Sequence, residues 1–241
     1  MYTARIFRRL VVAVTLALFL HPSLAQAKKP GGGGGGGGDG GGSSPYSLIM
    51  LAPPGVSVTS SWPTDLNEAG NVAGSFDSGS QVRGFYYDSN QGAWMTFGDG
   101  IRVIGLNNFS LLVGYDELNA EALLWSSPVD TSPEVLAPLP GFSMASAVDI
   151  NDAGLIIGEC FDAVGTSVAA AWVVTPTGDV SLPIELPSLA GDPLTRVYAL
   201  EEADSDGVIQ IVGTSGQSNP GSTALRWEVG IVAEQPVLVS G

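Results

Sequence analysis

Most glycoside hydrolysis is done by two carboxyl groups of a protein, one to protonate the leaving oxygen and one to act as base or nucleophile. Three carboxylates of this chain recur in front of the same kind of turn. Asp65, Asp149 and Glu202 each stand two residues before the Asn or Asp that opens a turn motif. In a repeat fold, equivalent positions of this kind either converge on a central channel or precede their turns and bond local amides. The sequence leaves both open.

A second cluster has the chemistry of a hard-cation site. Glu201-Glu202-Ala203-Asp204-Ser205-Asp206-Gly207 alternates carboxylates and ends in glycine, as the start of a calcium loop does. Asp204 and Asp206, helped by Glu201 or Glu202, are the candidate ligands for Ca2+. No glutamate follows Gly207 at the distance a full loop needs, and the same place in the other repeats is a plain hairpin turn.

Other chemistries are excluded by residue type. The one histidine is His21 and the one cysteine is Cys160. With His21 inside an export signal, the mature chain has no histidine for a catalytic triad or a zinc site and cannot form an internal disulfide. Cys160 reads as a buried, inert thiol, with pairing between molecules as the alternative. Trp94, Trp125, Trp172 and Trp227 read as core residues because they recur in apolar strands. Trp62, beside Pro63, is the better candidate for an exposed ring.

The export signal is read from Arg5, Arg8 and Arg9, the apolar run Leu10 to Leu20, Pro22, and Ala25-Gln26-Ala27. A positive start, a short apolar stretch and small residues at the cleavage positions define such a signal, and the run is too short to span a membrane. Cleavage after Ala27 is expected, placing the mature protein outside the cytoplasm, secreted, periplasmic or at the cell surface, with no membrane span. It leaves six basic residues against 24 acidic ones. Such a surface repels phosphate backbones, so nucleic acid and anionic lipid are poor partners, and glycans, proteins or cations remain. Residues 28–45 hold eleven glycines between 31 and 42, which makes them a flexible tether.

From residue 46 to residue 241 the chain repeats itself, in units near 60–99, 100–142, 143–189 and 190–241. The turns are Asn67-Glu68-Ala69-Gly70, Asn107-Asn108-Phe109-Ser110, Asn151-Asp152-Ala153-Gly154 and Asp204-Ser205-Asp206-Gly207. An Asn or Asp bonding nearby amides, then a glycine at positive φ, closes a hairpin. Each turn leads to a short strand ending in glycine, at Gly74, Gly114, Gly158 and Gly213, and then to a strand ending in an aromatic residue, at Tyr87, Trp125, Trp172 and Trp227. A fourth strand closes each unit. Four short strands per unit without helical periodicity predict an all-β, β-propeller-like array of about four four-stranded repeats. A β-solenoid or irregular stacked β-sheets is the alternative. A fifth copy of the fourth strand, Leu48-Ile49-Met50-Leu51, precedes the first unit and is expected either to close a ring or to mark a truncated array.

These motifs resemble the HAF-type repeat family of bacterial extracellular proteins. The Asn-x-x-Gly turn matches at Asn67/Gly70 and Asn151/Gly154, and the Ala and Trp of the third strand match at Ala122/Trp125, Ala169/Trp172 and Ala224/Trp227. The family's His is replaced by Arg83, Glu121, Val168 and Thr223, and its Phe survives at Phe85. The resemblance implies export and a repeat fold, and it carries no catalytic residue with it. The leading functional expectation is a non-catalytic exported module with a structural or ligand-binding role. The alternative is a carboxylate-dependent carbohydrate-active enzyme, a glycosidase or lyase.

Overall fold

A computed structural model describes residues 49–79, 81–130, 132–190, 192, 194–216 and 221–239. The expected export signal and glycine tether lie outside the described residues. Sixteen strands form four antiparallel sheets of four, each in simple chain order. Blade 1 holds β1 (Ser60–Leu66), β2 (Val72–Asp77), β3 (Val82–Asp88) and β4 (Ala93–Asp99). Blade 2 holds β5 (Ile101–Leu106), β6 (Leu112–Asp116), β7 (Glu121–Trp125) and β8 (Glu134–Leu136). Blade 3 holds β9 (Met144–Ile150), β10 (Leu155–Phe161), β11 (Ser167–Val173) and β12 (Ile184–Glu185). Blade 4 holds β13 (Thr195–Leu200), β14 (Val208–Ser215), β15 (Thr223–Val232) and β16 (Gln235–Leu238). The fold is therefore all-β and propeller-like, with no helix among the described residues. No described helix is long and apolar enough to cross a membrane.

The hairpin turns obey the chemistry of their residues. Gly70 donates its amide to the Asn67 carbonyl at 2.9 Å, while the Asn67 side chain accepts the Asn71 amide at 3.0 Å. Gly70, Gly154 and Gly207 take φ of 78°, 80° and 78°. In the second repeat Ser110 holds that conformation at 63° without being glycine, a strained choice for a residue with a Cβ.

The strand-ending glycines have a different cause. Every first strand carries a β-bulge at the same place, with Thr64, Ile104, Val148 and Tyr198 as the extra residues. The bulge pushes the carbonyls of Trp62, Arg102, Ser146 and Arg196 against Gly74, Gly114, Gly158 and Gly213. A Cβ at any of those four glycines would be driven into that oxygen. The glycine is the partner that a bulge requires when backbone approaches backbone.

The blades pack face to face through apolar clusters. Ala73 and Tyr86 of blade 1 meet Leu112, Leu123 and Trp125 of blade 2. Val113 and Leu124 of blade 2 meet Ile156 and Trp172 of blade 3. Leu155, Ile157 and Ala171 of blade 3 meet Ile209, Ile211 and Trp227 of blade 4. Trp172 and Trp227 donate their indole N–H to the Ala137 and Pro187 carbonyls of the preceding blade, at 2.8 and 2.9 Å. Trp125 and Trp172 are core residues, as their recurrence predicts, and Trp227 is buried as well. Trp94 is half-buried, its ring 4.8 Å from Tyr87.

The two ends of the array differ. The outer face of blade 1 is covered by Leu51, Val56 and Val58 of the segment before β1. That segment forms no strand at residues 49–51, and blade 4 ends with its own β16. Of the two readings of the fifth strand copy, ring closure is corrected: apolar Leu51 packs on blade 1, and Leu48 lies outside the described residues. On blade 4, Val212 is 46 % exposed, whereas its counterparts Ala73, Val113 and Ile157 are covered by the next blade.

Candidate functional site

The first strands of successive blades lie against one another, β1 on β5, β5 on β9 and β9 on β13, so their turn ends gather around one axis. Three sets of hydrogen bonds link neighbouring blades there. The side-chain amides of Asn67, Asn107 and Asn151 donate to the carbonyls of Asn107, Asn151 and Glu201 at 3.2, 3.1 and 2.9 Å. These three asparagines are buried, so each carboxamide closes its own turn and grips the next.

Just inside that ring sit Asp65 and Asp149. Asp65 accepts the Leu66 amide of its own strand and the Leu106 amide of blade 2, both at 2.7 Å. Asp149 accepts the Ile150 amide at 2.9 Å and the Leu200 amide of blade 4 at 3.1 Å. Burial raises the Asp149 carboxyl from its ordinary value near 3.8 to about 6, against the pull of those two amides. The charges of Asp65 and Glu202 push in the same direction. Asp149 therefore feels the carboxylates of two other blades.

Just outside the ring, Glu68, Asn108, Asp152 and Glu202 form a rim. The Glu68 amide donates to Asn108 Oδ1 at 2.8 Å, the Asn108 amide to Asp152 Oδ1 at 2.7 Å, and the Asp152 amide to both Glu202 oxygens at 3.1 and 3.0 Å. The Glu202 carboxyl lies above its ordinary range, first through desolvation and then through the charges of Asp152 and Glu68, with the Asp152 amide opposing. Since Glu68 belongs to blade 1 and Glu202 follows β13, the acidic rim reaches around the axis.

The strand register corrects the expected equivalence of the three carboxylates. Asp65 pairs with Ala73 and Asp149 with Ile157 next to the bulge, and the corresponding residue of blade 4 is Ala199, paired with Val212. Glu202 lies three residues further on, level with Glu68 and Asp152 on the rim. The cause is the longer β13–β14 hairpin, in which Glu201 pairs back to Gln210 before the turn begins. In blade 2 the place is taken by Gly105, whose missing Cβ lets the strand approach the Asp149 backbone. Rim residues Glu68, Asn108 and Asp152 were not singled out from sequence, although each directly follows a turn asparagine.

The calcium candidates have different hydrogen-bond partners. Asp204 Oδ1 accepts the Asp206 and Val208 amides, both at 2.9 Å, within its own turn, while Glu202 binds blade 3 through Asp152. Among the described residues no group of three or more His, Cys, Asp or Glu is placed to hold a metal ion. Trp62 lies in β1 and not in a loop. It is half-buried, with the Arg102 guanidinium 6.0 Å from its ring centre. Arg102 is itself paired with Glu117.

A comparison with protein families finds none that matches, and one with curated proteins finds none either. Among solved structures the chain is similar to an engineered GH43 glycoside hydrolase with endo-xylanase and exo-arabinofuranosidase activity, at 11 % identity and a TM-score of 0.43. That likeness covers 76 % of this chain and 40 % of the enzyme, so the chain spans about two-fifths of its length. A second likeness is to the GH43 endo-arabinanase of Bacillus licheniformis, at 11 % identity and a TM-score of 0.31, over 69 % of this chain and 71 % of that one. The leading expectation of a non-catalytic module is corrected here. Asp149 feels the charges of Asp65 and Glu202 from two other blades, which fits the carbohydrate-active alternative and not carboxylates scattered among separate turns.

Proposed function

We propose that this is an exported carbohydrate-active enzyme whose acidic axial mouth receives a neutral glycan and cleaves a glycosidic bond with paired carboxyl groups. The observation that carries the reading is that Asp149 lies within electrostatic reach of Asp65 and Glu202, which come from two other blades. Carboxyl groups in unequal environments divide acid and base roles between them. Asp149, raised to about 6, keeps its proton in mildly acidic solution and is the general acid. Asp65 and Glu202 are the carboxylates available as base or nucleophile. The excess of acidic over basic residues favours neutral sugars over uronates, because like charges repel.

The test is release of reducing ends from a panel of neutral polysaccharides, arabinan and xylan among them, by the purified mature protein. Turnover that is lost in Asp149→Asn, with the fold retained by circular dichroism, supports the reading. Absence of turnover across the panel, or turnover unchanged in Asp149→Asn, overturns it.

A further inference from the structure

The junction between blades 3 and 4 contains a buried carboxyl that neither the apolar packing nor the axial mouth uses. Glu159, on β10, is 5 % exposed, which is rare for a glutamate without a partner of opposite charge. It faces blade 4 from the same side of β10 as Ile157. From β11 the Ser167 hydroxyl donates to Glu159 Oε2 at 2.8 Å. From β13 come the Val197 amide and the charge of Arg196. On β9 its register partner is Ser146, and on its own strand the neighbouring titratable group is the Cys160 thiol. Ser167 and Thr195 tie the same two blades together, with the Ala169 amide donating to Thr195 Oγ1 at 2.7 Å and the Ser167 hydroxyl contacting the Thr195 carbonyl at 3.4 Å. Among the described residues Arg196 makes no ion pair with Glu159.

We propose that Glu159 makes the blade 3–blade 4 junction a pH-sensitive joint, closed while its carboxyl is uncharged and loosened when it ionises. A charge in this position is buried at the junction that holds the apolar cluster of Ile157, Val197, Ile209 and Trp227 and has one hydroxyl and one amide to solvate it. Burying an unpaired carboxylate is costly, and the ionised state is relieved only by admitting water or drawing Arg196 across the junction. Either movement displaces the Thr195–Val197 end of β13. The other end of that strand donates the Leu200 amide to Asp149, so loosening the joint also slackens the axial mouth.

The sign follows from linkage. Burial raises the Glu159 carboxyl from about 4.5 to about 7, opposed by Ser167, Arg196 and the Val197 amide. Protonation stabilises the folded joint, so this contribution is fully present below the unfolded value and is lost as the pH rises through the folded one. Asp149 acts in the same direction over a lower range.

The experiment is hydrogen exchange of the β13 and β14 amides in the mature protein between pH 5 and pH 8, expressed as protection factors. In the wild type, protection at Val197 and Ile209 falls by roughly tenfold or more across that range, each unit of pKa displacement being worth about tenfold. In Glu159→Gln it stays flat apart from the Asp149 contribution, which Glu159→Gln with Asp149→Asn removes. A wild type and a Glu159→Gln variant with the same pH dependence overturn the proposal. Should the variant fail to fold, a 13C titration of the wild-type glutamates decides it: a buried glutamate titrating near 7 supports the joint, and none above 5 overturns it.

Discussion

Asp149 on β9 holds the amide of Leu200 on β13, just as Asp65 on β1 holds the amide of Leu106 on β5. Each carboxylate satisfies an amide of its own strand and one of another blade, so these aspartates are cross-links of the fold as well as members of the acidic mouth. The double role ties the protonation of Asp149 to the packing of blade on blade.

Asp149 should therefore impose a pH dependence of known sign. Its folded value near 6 exceeds its ordinary value near 3.8, so the folded state binds the extra proton and stability declines as pH rises from about 4 through 6. Urea melts at steps across this window, for wild type and Asp149→Asn, check it: the variant should lack that part of the slope. Hydrolysis that uses the Asp149 proton should fall above pH 6 in the same way.

Gly114 tests the bulge. Replacing it with alanine drives a Cβ into the Arg102 carbonyl. The rearrangement should cost about 1–3 kcal/mol, the usual range for overpacking. Gly141→Ala serves as a contrast, with open space around it but a φ of 91°. A Gly114→Ala protein as stable as wild type by urea denaturation would contradict the close approach.

Trp172 tests the latch between blades. Its indole N–H reaches the Ala137 carbonyl at 2.8 Å and its side chain is fully buried. Trp172→Phe removes the donor and leaves part of the ring volume empty. A loss of about 1–3 kcal/mol is expected for an orphaned acceptor in a packed interface. Trp94→Phe, at a half-buried site, should cost less in the same measurement.

Cys160 should behave as a small apolar residue. It is buried, it accepts the Leu139 amide at 3.4 Å, and burial pushes its thiol up to about 11. A thiol reagent at pH 7.5 should react slowly with native protein and fast after denaturation. A disulfide-linked dimer on a non-reducing gel would refute the buried placement.

The repeat was legible in the sequence because its determinants are local. A turn that needs Asn and then a positive φ is written in four consecutive residues, and a strand covered on both faces reads as an apolar run. Four blades of four strands could thus be counted from Asn67, Asn151 and the Trp125, Trp172 and Trp227 strands alone. The four strand-ending glycines were visible too, but their reason was not. The carbonyl that excludes a Cβ comes from a bulge on another strand, and a bulge leaves no mark of its own in the sequence. The site divides along the same line. Asp65 and Asp149 were found by their spacing from the turns, while the placement of Glu202 was misread, because an extended hairpin changes which residue lies level with which without changing the turn motif. Glu159 was not singled out from sequence, where it is one charge in the apolar stretch Leu155-Ile156-Ile157-Gly158-Glu159-Cys160-Phe161. That it faces blade 4, and that Asp149 feels carboxylates of two other blades, was decided by the packing of blade on blade. Burial and electrostatic coupling are properties of neighbours in space, and short-range patterns do not specify them.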